Sequence, residues 1–215
     1  MNDLSKFDDP KFLELMEKIF AMVYELGIRN LNMDDISRNL KISKKTLYLY
    51  FKSKEDLVEK LFEYDEIKWD KEFAEANIKD HNAIEILLIA SLMVFKEMKQ
   101  LDPKLKFELK KYYEPIFTRF FIRKQNHIYI QISNNIRKGI EEGLYRNDIN
   151  IELIAGLYVK YLVDSNEQDF CFMKDITLEQ IFEVMFEAHI RAIATPEGIA
   201  YFERRKAEVK GANNI

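Results

Sequence analysis

The sequence predicts an all-α fold, and three observations support this prediction. Apolar residues recur at three- and four-residue spacing along most of the chain, which is the period of an amphipathic helix. Residues suited to cap helices precede these apolar segments. No alternating strand pattern is longer than a few residues, and six glycines and four prolines in 215 residues are few for a turn-rich β fold.

The first two helices are marked by periodicity, a stop signal and a cap. Apolar residues between Phe12 and Leu26 lie on one helical face, and Gly27 suits the position just after a helix end. Asn32 is a suitable N-cap for a second helix over residues 33–40. Acidic residues follow Asn32 in the first turn, where the helix dipole favours negative charge.

A short third helix and a longer fourth helix follow at once. Ser43 is suited to cap the third, which is predicted to end near Tyr50. Ser53, three residues before Asp56, makes a capping-box pattern for the fourth. The fourth helix therefore begins directly behind the third and is expected to connect the first three helices to the larger domain without a flexible linker.

The rest of the chain is predicted to contain longer helices, each opened by a capping pattern. These caps are Asn82, Asp102, Asn150, Thr177 and Thr195. Pro115 is expected to kink or break a helix, and a long helix over residues 117–142 is expected to end at Gly143. With these, the chain should hold nine or ten helices.

Charge is distributed unevenly along this acidic chain. The formal net charge is −4 and the pI is about 5.6, yet no acidic residue lies between Arg38 and Lys54. That interval and its ends hold six basic residues: Arg38, Lys41, Lys44, Lys45, Lys52 and Lys54. A basic helix pair on an acidic body indicates that DNA is met at one small surface.

The second and third helices have the pattern of a helix-turn-helix. One set of apolar residues is predicted to face inward, joining both helices to the first: Ile36, Leu40, Ile42, Leu47 and Phe51. The candidate DNA contacts are the outward residues of the third helix, its cap and the start of the fourth: Ser43, Lys44, Lys45, Thr46, Tyr48, Leu49, Tyr50 and Lys54. Lysines and hydroxyls suit phosphate oxygens, which position a protein on the duplex.

Strong base readers are missing from the third helix. It contains no Arg, Asn or Gln, the side chains that most often bind guanine or adenine through two hydrogen bonds. Specificity is therefore expected in part from half-site spacing, DNA shape or nearby residues such as Arg29 and Arg38.

The stretch from Gly27 to Leu57 resembles the DNA-binding domain of the TetR family of bacterial transcriptional regulators. The resemblance is carried by Gly27, by DDIS at residues 34–37, by KISKKTLYLYF at 41–51 and by SKEDL at 53–57. The family usually has glycine where Lys41 stands. A weaker resemblance lies in IRKGIEEGLYRNDINIELIAGLY, residues 136–158. The matched regions cover about a quarter of the chain.

The resemblance implies an architecture and a mode of action. It implies a three-helix DNA-binding domain, residues 1–55, followed by a larger helical domain, residues 56–215, that binds a small effector and dimerises. It also implies a homodimer on a palindromic operator, most often a repressor, whose two DNA-binding domains change their spacing with ligand. Lys44, Thr46, Tyr48, Tyr50 and Lys54 fall at positions that commonly contact DNA in the family. Such a protein is a cytoplasmic regulator and not an enzyme.

Aromatic residues in the C-terminal region are candidates for an effector pocket. Large aromatics are most often ordinary core residues, but helical bundles also place ligand sites between helices. The effector-binding candidates are Trp69, Phe95, Tyr112, Tyr113, Phe117, Phe121 and Tyr158. The Phe, Tyr and Met content favours an apolar or aromatic ligand.

A dimer interface is predicted on two late helices. The apolar arc of the helix over 178–194 is wider than one core face needs, so simple burial and a subunit interface are both open. The predicted contacts of a four-helix bundle across a two-fold axis are Leu157, Tyr161, Phe182, Met185, Phe186 and His189.

Two other classes of protein compete with a DNA-binding regulator. A di-iron carboxylate enzyme needs Glu-x-x-His motifs on facing helices, and His81, His127 and His189 stand alone, so neither metal nor cofactor is expected. A helical protein-interaction module with a vestigial helix-turn-helix stays open. The single Cys171 excludes an intramolecular disulfide and fits a reducing compartment. The N-terminus is not a signal peptide, and the longest apolar run is too short to span a membrane.

Overall fold

Ten α-helices make up the regular secondary structure of the described residues, which confirms the all-α class. The computed structural model describes residues 7–76, 80–100, 102–164 and 177–212, so Cys171 lies outside them. The helices are α1 Pro10–Leu26, α2 Met33–Asn39, α3 Lys44–Tyr50, α4 Lys54–Glu75, α5 Ala83–Gln100, α6 Pro103–Tyr112, α7 Glu114–Glu141, α8 Ile151–Asp164, α9 Leu178–Ile193 and α10 Pro196–Ala212. Within those ranges, no helix is long and apolar enough to cross a membrane.

The predicted caps are confirmed where the helices begin. Asn32 and Asp35 form a reciprocal capping box at α2, and Thr177 and Gln180 form another at α9. Asp102 caps α6, with Pro103 in its first turn. These bonds satisfy amides that a helix leaves without intrahelical partners, which is why they can be anticipated from sequence.

Pro115 breaks the helix as expected, although the boundary lies slightly earlier than predicted. α6 ends at Tyr112, Tyr113 leaves helical geometry (φ −131°, ψ 34°), and α7 begins at Glu114. Pro115 thus occupies the first turn of α7, where its missing N–H costs nothing.

The chain divides into two compact units. The first unit comprises residues 1–72 and 100–124, and the second comprises 73–99 and 125–215. The unit that contains the helix-turn-helix is therefore larger than the predicted domain of residues 1–55. The reason is packing: Leu105 of α6 is only 3% exposed and joins the same apolar core as helices α1, α2 and α3.

The core of the first unit is built around α1. Phe12, Met16 and Ile19 are fully buried on one face of α1, at the spacing that the sequence shows. Leu47 of α3 and Phe51 are fully buried against the same core. Burial of aromatic and aliphatic side chains of this size is what holds the short α2 and α3 in place.

The second unit has a polar network inside its apolar core. Tyr145 is 2% exposed and donates its hydroxyl to Asn135 (3.3 Å), whose amide donates to the carbonyl of Ala83 (2.8 Å). Its ring lies on Gly139, where an added Cβ would come within 2.0 Å of the ring. Burial raises the pKa of Tyr145, so it stays a neutral donor.

Candidate nucleic-acid interface

The helix-turn-helix is held by caps on three successive helices. The backbone N–H of Asp35 donates to Asn32 Oδ1 (2.9 Å), and that of Thr46 donates to Ser43 Oγ (3.0 Å). At α4, the N–H of Asp56 donates to Ser53 Oγ (3.2 Å), while the N–H of Lys52 donates back to Asp56 Oδ2 (2.7 Å). The return bond therefore starts one residue before the position of a standard capping box.

Lys41 makes the turn between α2 and α3 in a left-handed conformation. Its φ is +56°, a region that favours glycine. The N–H of Lys41 donates to the carbonyl of Arg38 (3.2 Å), and that of Ile42 donates to Ser37 (3.0 Å). The chain thus keeps the turn geometry and accepts local strain, since non-glycine residues adopt this region at a cost.

The predicted inward and outward positions of α3 separate largely as expected. Leu47 is fully buried, whereas Lys44, Lys45, Tyr48 and Leu49 are exposed. Tyr48 is 49% and Leu49 is 71% exposed, which is high for large apolar-bodied side chains. The helix therefore presents two lysines and two large side chains on the same outer surface.

Tyr50 departs from this arrangement. Its ring is half-buried and stacks on Phe12 of α1 (5.7 Å between centroids), with Phe51 also adjacent. The sequence predicts an outward position, because Leu47 and Phe51 fill the inward positions. At the end of a helix of seven residues, its side chain instead packs back over α1.

Lys44 is tied to an acidic residue of the preceding helix. Its Nζ lies 2.6 Å from Asp34 Oδ2, and both side chains are at least half exposed. An ion pair this exposed contributes little free energy, so a phosphate oxygen can replace Asp34 as the partner of Lys44. The pair was not expected from the sequence, because the two residues are ten positions apart and on different helices.

A shallow cleft of about 450 Å³ lies beside α3, between the starts of α2 and α4. It is lined by Asn32, Met33, Asp34, Tyr48, Lys52, Ser53 and Lys54. The first turns of two helices meet here with two lysines, an arrangement that suits a phosphate. Burial lowers the pKa of Lys54, and the charges of Glu55, Glu108 and Asp35 oppose that effect.

The predicted effector-binding residues fall in both compact units. Trp69, Tyr112, Tyr113, Phe117 and Phe121 belong to the first unit, and Phe95 and Tyr158 belong to the second. In the first, Phe117 stacks on Phe121 (5.7 Å). In the second, Phe95 packs against Phe182 (5.9 Å), and Tyr158 is 5% exposed within the core. Their role in binding a ligand stays a prediction.

The predicted dimer residues include both exposed and buried side chains. Leu157 and Tyr161 of α8 are 50% and 58% exposed. Phe182, Phe186 and His189 do not lie on that exposed face, because each is less than 10% exposed in the core of the second unit. Met185 is half-buried. The inward face of α9 thus accounts for most of the wide apolar arc.

Two further exposed residues lie outside the predicted set of dimer contacts. Leu153 of α8 and Val184 of α9 are 65% and 70% exposed. Leu153, Leu157 and Tyr161 follow one another at four-residue spacing, so they form one stripe on α8. That spacing is visible in the sequence, but only the tertiary structure shows which side of α8 faces outward.

Comparisons with known proteins agree with this geometry. Residues 15–61 match the family model described as bacterial regulatory proteins, tetR family. Over 188 residues the chain is 23% identical to the uncharacterized HTH-type transcriptional regulator YvaF of Bacillus subtilis (strain 168), which spans 85% of this chain and 95% of that relative.

Two solved structures show the same fold at low sequence identity. A transcriptional regulator from Cytophaga hutchinsonii has a TM-score of 0.69 and 20% identity, covering 87% of this chain and 100% of its own. A TetR transcription regulator from Haloarcula marismortui has a TM-score of 0.67 and 18% identity, covering 85% and 97%.

The helix-turn-helix and the all-helical fold together define a DNA-binding transcriptional regulator. Residues 15–61 thus match the tetR family of bacterial regulatory proteins, and the chain as a whole is similar to HTH-type transcriptional regulators.

Proposed function

We propose that this protein is a cytoplasmic, ligand-responsive repressor that binds a palindromic DNA operator as a homodimer. The observation that carries the proposal is the outer surface of α3 with the adjoining cleft. There, exposed Lys44, Lys45 and Tyr48 lie beside Lys52 and Lys54 at the capped start of α4. This is the size and charge of surface that enters a major groove and binds the flanking phosphates.

Homodimer formation is supported by the exposed stripe of α8. Leu153, Leu157 and Tyr161 present apolar surface without a partner from their own unit, and patches of this kind mark protein interfaces. Gly156 lies on the same helix, and an added Cβ there would meet nothing within 4 Å. The fold of the single chain thus does not require glycine there, whereas a second helix packed closely against α8 would.

The effector is proposed to be a small apolar or aromatic molecule. The support is the supply of aromatic side chains, with half-buried rings such as Phe95 in the second unit and Phe117 in the first. A ligand that binds one spacing of the two DNA-binding heads better than another shifts the dimer toward that spacing. The direction proposed is release of DNA, as expected of a repressor.

The decisive experiment is DNA selection with the purified protein at low salt and without ligand. We expect recovery of a palindromic duplex that the protein binds in gel shifts more tightly than scrambled DNA. Tyr48→Ala should weaken binding to that duplex by about tenfold, because it removes a large exposed contact. Leu26→Ala, which truncates a similarly exposed side chain at the end of α1 (43%), is the matched control.

Absence of any sequence-selective duplex would overturn the regulator proposal and favour an interaction module with an inert helix-turn-helix. If the Tyr48 variant bound with unchanged affinity, the regulator proposal would stand, but Tyr48 would not be a DNA contact.

A further inference from the structure

Glu108 is a buried carboxylate in α6 that the DNA interface described so far does not use. Its side chain is 6% exposed. The backbone N–H of Arg29 donates to its Oε2 (3.1 Å). On the same side lies Gly27, where an added Cβ would stand 3.0 Å from Oε2. One carboxylate of α6 thus accepts a hydrogen bond from the turn between α1 and α2 and occupies the space that a side chain at position 27 would need.

That turn is constrained from both sides. Gly27 has a φ of +79° and ends α1, with its N–H donating to the carbonyl of Val23 (2.9 Å). Ile28 and Leu31 are 0% and 2% exposed, so apolar burial holds the turn from below. Asn32, the cap of α2, follows directly. A shift of the turn therefore moves the start of α2.

A glutamate at this position needs an explanation beyond packing. A buried carboxylate is costly unless hydrogen bonds or charges compensate it, and an apolar side chain would fill the site more cheaply. The compensation comes from the N–H of Arg29 and from Lys54, whose ammonium interacts with Glu108. The nearby Tyr113 adds no charge, since burial raises the pKa of its hydroxyl, with smaller contributions from Glu55 and Glu108.

We propose that Glu108 is a positioning residue for DNA binding. By accepting the Arg29 N–H and lying close to Gly27, it sets the start of α2 beside the start of α4, so that Asn32 and Lys54 line the same shallow cleft. This inference rests on the proposed function, because the cleft matters only if the protein binds DNA.

Three variants separate the hydrogen bond from simple packing. Glu108→Leu keeps the volume and removes the acceptor. Glu108→Gln keeps an acceptor oxygen and removes the charge. Phe107→Ala, on the same helix but 61% exposed, is the control. The probes are the palindromic duplex selected with the parent protein and hydrogen exchange of the Arg29 amide.

Glu108→Leu should weaken duplex binding by about tenfold, because the part-buried N–H of Arg29 loses its acceptor, and should speed exchange at Arg29. Glu108→Gln should keep both measurements within about threefold of the parent, since its carbonyl oxygen replaces Oε2. Phe107→Ala should change neither. Rescue by glutamine distinguishes positioning from a general loss of fold.

The inference is overturned if Glu108→Leu binds the duplex as tightly as the parent, or if Glu108→Gln is as impaired as the leucine variant. If the leucine variant does not fold, Glu108→Asp replaces it: its carboxylate is one methylene too short to reach Arg29, and parental affinity would overturn the inference. Should the parent select no duplex, the proposed function fails on its own. Rapid exchange of the Arg29 amide in the parent protein would then refute the hydrogen bond between Arg29 and Glu108 independently.

Discussion

The outer surface of α3 and the outer stripe of α8 both expose large side chains, but their charges differ. On α3, Tyr48 and Leu49 are interleaved with Lys44 and Lys45, so every apolar contact has a cation beside it. On α8, Leu153, Leu157 and Tyr161 follow one another at four-residue spacing, and Lys160 is the only basic residue of that helix. Exposed apolar surface mixed with several cations suits a polyanion, whereas a mainly apolar stripe suits another protein surface.

The α8 stripe gives the largest expected effect. Leu157→Glu places a charge in the middle of the stripe and should convert the proposed dimer to a monomer, as measured by sedimentation, because burying the carboxylate in the interface is costly. Binding of the selected palindrome should fall by about a hundredfold, since the second half-site is no longer bound by a linked subunit.

Ile130→Glu on α7 is the matched control, because Ile130 is equally exposed (54%) and lies outside the stripe. If Leu157→Glu sediments like the parent protein, the α8 stripe is not a dimer interface, whether the parent is a monomer or a dimer.

The core beneath α8 should make the second unit sensitive to acid. His189 stacks on Tyr158 (4.0 Å between ring centroids), and burial lowers its pKa to about 4. Above pH 6.5 the ring is neutral in both folded and unfolded chains. As the pH falls from 6.5 toward 4, only the unfolded chain takes up the proton, so stability is lost, by up to about 3 kcal/mol.

Urea unfolding at pH 7 and pH 5 measures this loss. His189→Phe keeps an aromatic partner for Tyr158 and removes the titration, so the variant should lose less stability than the parent over that interval. Equal losses would show that other groups cause the acid sensitivity.

The α3 surface and its cleft should respond to salt, unlike the α8 stripe. Lys54→Ala should weaken operator binding by a few-fold and reduce the slope of log affinity against log salt by about one for each half-site, because one phosphate contact is lost. Lys18→Ala, an exposed lysine on α1 that pairs with Glu14, is the control. An unchanged slope would remove Lys54 from the set of phosphate contacts.

The smallest expected effect is a gain in DNA affinity. Asp34 lines the cleft and pairs with Lys44, so it holds a lysine that DNA would bind and adds negative charge to the surface. Asp34→Asn should strengthen DNA binding by a few-fold, within the range of an exposed ion pair. Weaker binding in this variant would instead show that Asp34 positions Lys44 for DNA.

The helices and their ends could be predicted from the sequence because the determinants are local. Asn32, Ser43 and Thr177 each cap a helix through a bond to an amide three residues ahead. Gly27 and Gly143 both have positive φ, where glycine is favoured. The same local signals placed Leu47 inward and Lys44 outward on α3.

The composition of the candidate surfaces was predicted less completely, because it depends on residues distant in the chain. Tyr50 was placed outward, but α1 offers Phe12 as a stacking partner. Phe182, Phe186 and His189 were assigned to an interface, but the second unit buries them in its own core. A helical period shows that two faces differ and does not show which neighbour covers each face.

The sequence by itself determined the all-α class, the caps, the helix-turn-helix and its basic surface, since each follows from residues within a few positions of one another. Only the tertiary structure showed that α6 joins the unit that contains the helix-turn-helix and that Leu153 faces outward. It also showed that Glu108 accepts a hydrogen bond from Arg29, 79 positions away along the chain. The physical reason is that burial and long-range hydrogen bonding depend on which helices pack together, and no local pattern specifies that.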